Sequence, residues 1–291
     1  MKRFCCSEIL SKIITHRDKT VYDLVVNTPI PDIIVSGVAI DLYLSGRYLW
    51  VVEVKVLIIS DLHYNNRVFR GVDESVAWSW LMTIIDYHRP DLLISLGDWG
   101  EAINEAEFYE LLKKVRVWSI YGNHENLEVL KKMYNVITDS YEPVLMGDGE
   151  VREFNGVRFG GINGIVALRC RLRKGIPRKR PGEYVEIAKS LAGKIDILLL
   201  HDSPWLEEYR GMIARDERTQ AVAIAIYEAR PKIVFCGHLH LSPYTIYRFD
   251  YGTLYVRIDS SQKHRCYAVL NINNKKIEIW RDLEIVEEQG L

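Results

Sequence analysis

Five short stretches of this 291-residue chain offer oxygen and imidazole donors: Asp61-Leu62-His63, Gly97-Asp98, Gly122-Asn123-His124, His201, and Gly237-His238-Leu239-His240. Taken singly each is ordinary, since Gly-Asp is a turn and one His in a loop is usually a solvated polar side chain. Taken together they form a donor set of carboxylate, amide oxygen and imidazole without thiolate. Such a set suits Mn, Fe, Zn or Co, with Mn favoured, and does not suit a structural zinc or a Cu(I) site. A carboxylate such as Asp98 can bridge two divalent ions roughly 3.5–4 Å apart, which brings the pKa of a shared water towards neutrality. The chemistry so implied is hydrolysis.

The elements around these stretches explain why they would meet. The apolar run Val54–Ser60 reads as a buried strand, followed by an amphipathic helix over about Val72–His88 that stops before Pro90. Leu92–Leu96 is the next strand, about Glu101–Lys114 a helix, Val117–Tyr121 a third strand, and Glu125–Met133 a further helix. Short β-like pieces follow at Val144–Met146, Val151–Phe154 and Val157–Ile162. After them come a helix near Glu183–Leu191, a strand Ile195–Leu200, a helix Arg218–Ala229 and a strand Ile233–Cys236. The tail is β-rich, with Tyr244–Phe249, Thr253–Ile258, Tyr267–Asn271 and Lys276–Trp280. Each donor stretch thus closes a strand, and in open α/β sheets sites lie beyond the carboxyl ends of strands. Glycines at 97, 122 and 237 allow close backbone approach there.

The order Asp-x-His, Gly-Asp, Gly-Asn-His-Glu, His, Gly-His-x-His resembles the signature of the calcineurin-like metallophosphoesterase superfamily, from about Val54 to the C-terminal sheet. The resemblance implies an α/β fold, a four-layer α/β/β/α sandwich of two mostly mixed sheets flanked by helices. By position it implies that Asp61, His63 and His240 bind one metal ion, that Asn123, His201 and His238 bind the other, and that Asp98 bridges them. It implies a phosphomono- or phosphodiesterase in which a metal-bridging hydroxide attacks phosphorus. Every ligand of the signature is present, which favours an enzyme over a binding scaffold of the same fold. Asp98 is followed by Trp99-Gly100-Glu101, not by the Asp-Arg-Gly pattern of the Ser/Thr protein phosphatases, so that branch is not implied.

His124 has no ligand role in this scheme and is free to act as a general acid or to stabilise phosphoryl charge. In the superfamily a residue three positions after the bridging Asp often contacts this His. Here that residue is Glu101, whose carboxylate would raise the pKa of His124. Glu101 also reads as a first-turn acid favoured by the helix dipole, and so does Glu125.

Composition sets the bounds. A hydrophobic share of 48% supports a large core, and a net charge of -1 provides no global field for nucleic acid or membrane. The five cysteines show no paired spacing, which points to a reducing, cytoplasmic setting, and no apolar run approaches the roughly 20 residues that span a bilayer. Locally, Arg169, Arg171, Arg173, Lys174, Arg178, Lys179 and Arg180 crowd one loop, which is either a solvated face or a clamp for a nucleotide or nucleic acid. Residues 1–53 carry no recognisable chemistry. Their one expected feature is a hairpin, Val38–Leu44 with Tyr48–Val54, and the working domain is expected over 54–291.

Overall fold

The computed structural model describes residues 53–169 and 171–291, together with the backbone strands at 42–44 and 47–49. The chain divides into two units, Met1–Glu53 and Val54–Leu291. In the first, Leu42–Leu44 and Arg47–Leu49 pair antiparallel with Leu44 opposite Arg47. The rest of the expected hairpin lies outside the described residues.

The second unit is built on two six-stranded mixed sheets. The first contains the parallel strands β1 (Lys55–Ile59), β2 (Leu92–Ser95) and β3 (Arg116–Ser119). The second contains β4 (Val151–Phe154), β5 (Val157–Ile162), β6 (Ile197–Leu200), β7 (Ile233–Cys236), β8 (Tyr244–Arg248) and β9 (Leu254–Ile258), in the order β4-β5-β6-β7-β9-β8. Within it β5, β6, β7 and β9 are parallel, and β4 and β8 are antiparallel edges. The tail strands β10 (Cys266–Asn271), β11 (Lys276–Arg281) and β12 (Glu284–Gly290) return to the first sheet, adding antiparallel beside β1.

Strand periodicity sorts the core into layers. Val56 and Ile58 of β1 face inward with Ile94, Trp118, Leu199, Phe235 and Val256 between the sheets. Leu57 and Ile59 face outward against α1 (Ala77–His88) and α2 (Glu105–Leu112), among Trp78, Leu81, Phe108 and Leu111. On the far side, Leu198, Leu200 and Val234 pack under α4 (Pro181–Leu191) and α5 (Glu217–Ala229). Because each central strand is covered on both faces, its sequence is apolar throughout instead of alternating. The four-layer sandwich follows from this arrangement.

Several boundaries differ from the sequence expectation, and the causes are local. The helix expected from Glu101 begins at Glu105, because Asn104 accepts from the Glu107 N–H at 3.0 Å and caps it. The helix expected over Glu125–Met133 is a single turn, α3 (Leu127–Leu130), capped by Asn126. Val68–Phe69 and Val72–Asp73 form a small hairpin, and Asp73 caps the turn that leads into α1. A hairpin of Tyr134–Ile137 and Ser140–Pro143, and β12, are additional; their mixed polar sequences give no alternating signal. Val144–Met146 contributes one bridge, Leu145 to Ser119, and no strand of its own. Among the described residues no helix is long and apolar enough to cross a membrane.

Candidate metal centre

The strand ends of both sheets converge at one edge of the sandwich. Beyond β1 and β2 the chain turns sharply through left-handed backbone at Asp61 (φ 58°), His63 (φ 51°) and Asp98 (φ 58°); His238 after β7 does the same (φ 67°). Non-glycine residues in this region store strain and cluster at functional sites. The turns are interlocked, with Asp61 N–H donating to Gly97 O at 3.0 Å and His63 N–H to Asp98 O at 2.9 Å. Glycine is required at two close approaches. A methyl group at Gly122 would fall on Asp98 Oδ1 and the His201 ring, and one at Gly237 on Ser60 Oγ and Asp61 Oδ2.

Two groups of three ligand atoms result, Asp61 with His63 and His240, and Asp98 with His201 and His238. His63 Nε2 and His240 Nε2 lie 3.2 Å apart, and each is 3.8 Å from Asp61 Oδ1. Asp98 stands between the groups, its Oδ2 being 3.6 Å from His63 Nε2 and 3.4 Å from His201 Nε2. Its Oδ1 accepts from the N–H of Asn123 at 2.5 Å and of His124 at 2.7 Å, which ties the Asn123 loop to the same carboxylate.

The donor set fits divalent ions. Asp61 Oδ1, Asn123 Oδ1 and His201 Nε2 are buried and have no hydrogen-bond partner. A buried polar atom left alone costs about 1–3 kcal/mol, and the two unpartnered oxygens, Asp61 Oδ1 and Asn123 Oδ1, are acceptors that a cation would satisfy. The other polar atoms of Asp61 and His201 are occupied. Asp61 Oδ2 accepts from Ser60 Oγ at 2.6 Å and His238 N–H at 2.8 Å. His201 Nδ1 donates to Leu96 O at 2.9 Å, which leaves Nε2 as the nitrogen turned toward Asp98.

Electrostatics reflect this crowding. Burial alone would push Asp98 up and His201 down, but each faces the other's charge, so Asp98 lies well below the carboxylate range and His201 rises to about 10. For His240 burial is likewise outweighed, by the Asp259 hydrogen bond and the Asp61 charge, and its pKa rises to about 9. His238 is lowered, chiefly by burial.

His124 stands beside the expected metal ligands, its ring 5.4 Å from that of His63 in an edge-on arrangement. Burial lowers its pKa against the pull of Asp98, with His63 and Lys174 adding to the fall. Glu101 lies near His124 but is held by another partner. Its carboxylate pairs with Lys174 Nζ at 2.8 Å, the main cause of its lowered pKa. It acts on His124 through charge alone, which lowers its own pKa further, with no hydrogen bond to the ring among the described residues. It also precedes the helix cap, which removes the dipole reading. Glu125 is corrected too. It is buried, its Oε1 accepts from Asp98 N–H at 2.5 Å and Gly122 N–H at 2.9 Å, and its Oε2 accepts from Trp99 N–H at 3.2 Å. It therefore knots the second and third donor stretches together. Burial, then the charge of Asp98, pushes it up to about 8.

The basic loop is partly structural. Lys179 is buried, donating to Asn163 O at 2.5 Å and pairing with Asp148 at 3.0 Å, and Arg171 pairs with Glu183 at 2.7 Å. Leu172–Arg173 and Ile176–Pro177 form a short hairpin, and Ile176 plugs into the core under the first sheet. Arg169, Arg173 and Arg180 are exposed and Arg178 is half-buried. Lys174 of this loop comes near enough to act on His124.

Two further residues had no sequence signal. Asp259, just after β9, accepts from His240 Nδ1 at 2.8 Å. Arg257, fully buried on β9, donates to Leu239 O at 2.5 Å, to Ser242 O at 3.1 Å and to Ser242 Oγ at 2.5 Å, and so clamps the loop that carries His238 and His240.

Comparison with known proteins agrees with this geometry. The family described as calcineurin-like phosphoesterase matches residues 54–242. No curated protein matches. Among solved structures, the protein TT1561 of Thermus thermophilus is similar at 12% identity and a TM-score of 0.56, covering 79% of this chain and 99% of its own. A dimetal phosphatase from Danio rerio is similar at 13% identity and a TM-score of 0.51, covering 80% of this chain and 98% of its own. At these identities the likeness shows the shared fold.

Proposed function

The chain belongs to the calcineurin-like phosphoesterase family, and on that premise we propose that it hydrolyses phosphoester bonds with two divalent ions, Mn foremost. The observation that carries this reading is the pair of three-ligand groups with Asp98 between them and three buried ligand atoms unpartnered. Asp61, His63 and His240 would hold one ion, Asn123, His201 and His238 the other, and Asp98 both. When bound, such a pair supplies a water-derived nucleophile near neutral pH and neutralises phosphoryl charge.

His124 would face the departing alcohol. In the free protein its lowered pKa favours the neutral ring, which still carries one N–H to donate. A phosphoryl group arriving beside it adds negative charge, which opposes the effect of burial and favours the imidazolium. Proton donation is then coupled to substrate binding. Lys174 acts on the same ring, but its charge is paired with Glu101, so an anionic substrate would have to compete with that carboxylate for it.

The experiment is hydrolysis of chromogenic phosphomono- and diesters by the apo protein with Mn, Zn, Co or Mg restored, alongside ion counting by mass spectrometry. Turnover that rises with ion loading is expected. A protein that binds two ions and hydrolyses neither ester with any of them would be a scaffold.

A further inference from the structure

We infer that Asp259 is a positioning residue that fixes His240 as an Nε2 ligand, and that it controls filling of the more open of the two ion subsites. The inference rests on the metal centre proposed above, and it concerns a residue outside the five donor stretches. Asp259 follows β9, so it adds a sixth strand end to the site. It is 1% exposed and immobilised on all sides. Its N–H donates to Pro243 O at 3.0 Å, its carbonyl accepts from Cys266 N–H at 3.0 Å, and its Oδ1 accepts from Ser261 N–H at 2.9 Å. The one remaining acceptor, Oδ2, faces His240 Nδ1 at 2.8 Å.

A carboxylate can only accept, so Nδ1 of His240 keeps its proton, and Nε2 is the nitrogen turned toward Asp61 and His63, where an arriving ion would take the place of any second proton. Among the described residues no other hydrogen bond fixes this ring; its second nitrogen meets only its fellow ligands. With 41% of its side chain exposed, His240 would otherwise turn freely and present either nitrogen. Arg257, two residues earlier on the same strand, holds the main chain at Leu239 and Ser242, on either side of His240. The end of β9 thus sets both the backbone and the tautomer of this ligand. His264 also approaches Asp259, with Nε2 3.8 Å from Oδ2, beyond hydrogen-bond reach.

Two variants of the full chain separate orientation from simple structural support. In Asp259→Asn the side-chain carbonyl can satisfy Ser261 N–H, and the amide then donates towards His240, forcing the proton onto Nε2 and blocking the ligand. Asp259→Ala removes both hydrogen bonds but admits water, which accepts from Nδ1. Mn is titrated into each apo protein, with ion content by mass spectrometry and Co(II) absorption as the spectroscopic check. Wild type should take up about two ions. Asp259→Asn should keep one ion and bind the other about 10- to 100-fold more weakly, the range for loss of an outer partner of a metal-bound His. Asp259→Ala should show a smaller loss. A residue of structural importance only would reverse that order, since Ala deletes more contacts. Unchanged two-ion binding in both variants, or equal loss of both ions, would overturn the inference while leaving the metal centre standing. A wild type that binds no ion would remove the centre and this role together. If Asp259→Asn does not fold, Asp259→Ala alone decides, with selective weakening of one ion expected and wild-type binding of both fatal to the idea.

Discussion

His201 leaves none of its side chain in solvent, whereas His240, its counterpart in the other ligand group, leaves 41% exposed. The two groups use the same chemical types, one carboxylate with two imidazoles, yet they are held in different ways. The sealed group is braced by main chain and core. Leu96 O orients His201, and Glu125 secures the Asp98 turn from below. The open group is braced by side chains at the rim, where Asp259 orients His240 and Arg257 clamps its loop. Depth therefore divides the labour, with one subsite preformed by folding and the other dependent on a few polar contacts.

Variants can break or sharpen this contrast. The largest effect is expected for Asp98→Asn, because Asp98 faces both groups. Ion content should fall in both subsites and kcat/KM by on the order of 10^3-fold or more, measured on a chromogenic ester. If only one ion were lost, Asp98 would belong to one group and the two would be separate. Next comes His124→Ala, expected to lower kcat about 100-fold with both ions retained. Full turnover at full ion loading would take His124 out of the reaction.

Glu125→Ala probes the sealed side. It leaves the N–H groups of Asp98, Trp99 and Gly122 without their buried acceptor, at a cost of about 2–3 kcal/mol in urea unfolding. Parallel ion titration should show weakening at the Asp98 group, the complement of the pattern expected at Asp259. An unaltered urea midpoint would contradict the bracing role.

Acid should act on the fold through a residue far from either subsite. His88 is buried against Tyr267, its Nε2 2.8 Å from the hydroxyl, and burial depresses its pKa to about 4. The unfolded chain takes up this proton near pH 6.5 and the folded one does so only near 4. The stability contribution is therefore complete above about 6.5 and is lost as pH falls between those values. In that window the melting temperature of His88→Leu should fall less steeply than that of wild type in chelator; parallel slopes would refute the assignment. The smallest effect is expected for a chain starting at Val54, which should keep its ester hydrolysis. Inactivity of that folded protein would give residues 1–53 a part in the reaction.

The candidate ligands were legible because each terminates an apolar run, so that spacing along the chain maps onto one edge of the sheets. The acids were not. Glu101 and Glu125 look like first-turn residues because the helical pattern extends back over them, but Asn104 and Asn126 start the helices later. Glu125 instead points under the site, where only tertiary packing could send it. Asp259 was invisible for a similar reason. Asp-Ser-Ser after a strand has the look of a solvated turn, and no spacing rule ties position 259 to position 240. It becomes a partner only because β9 lies beside β7.

Neither sheet can assemble either ligand group by itself. Asp61 and His63 follow β1 and Asp98 follows β2 in the first sheet, while His201, His238 and His240 follow β6 and β7 in the second. Both groups therefore come into being only when the two sheets have docked across their shared apolar layer. On the proposed function, ion capture would be a late step in folding and would then cross-link the sheets, slowing their separation. Chelation should accordingly speed unfolding much more than it slows refolding.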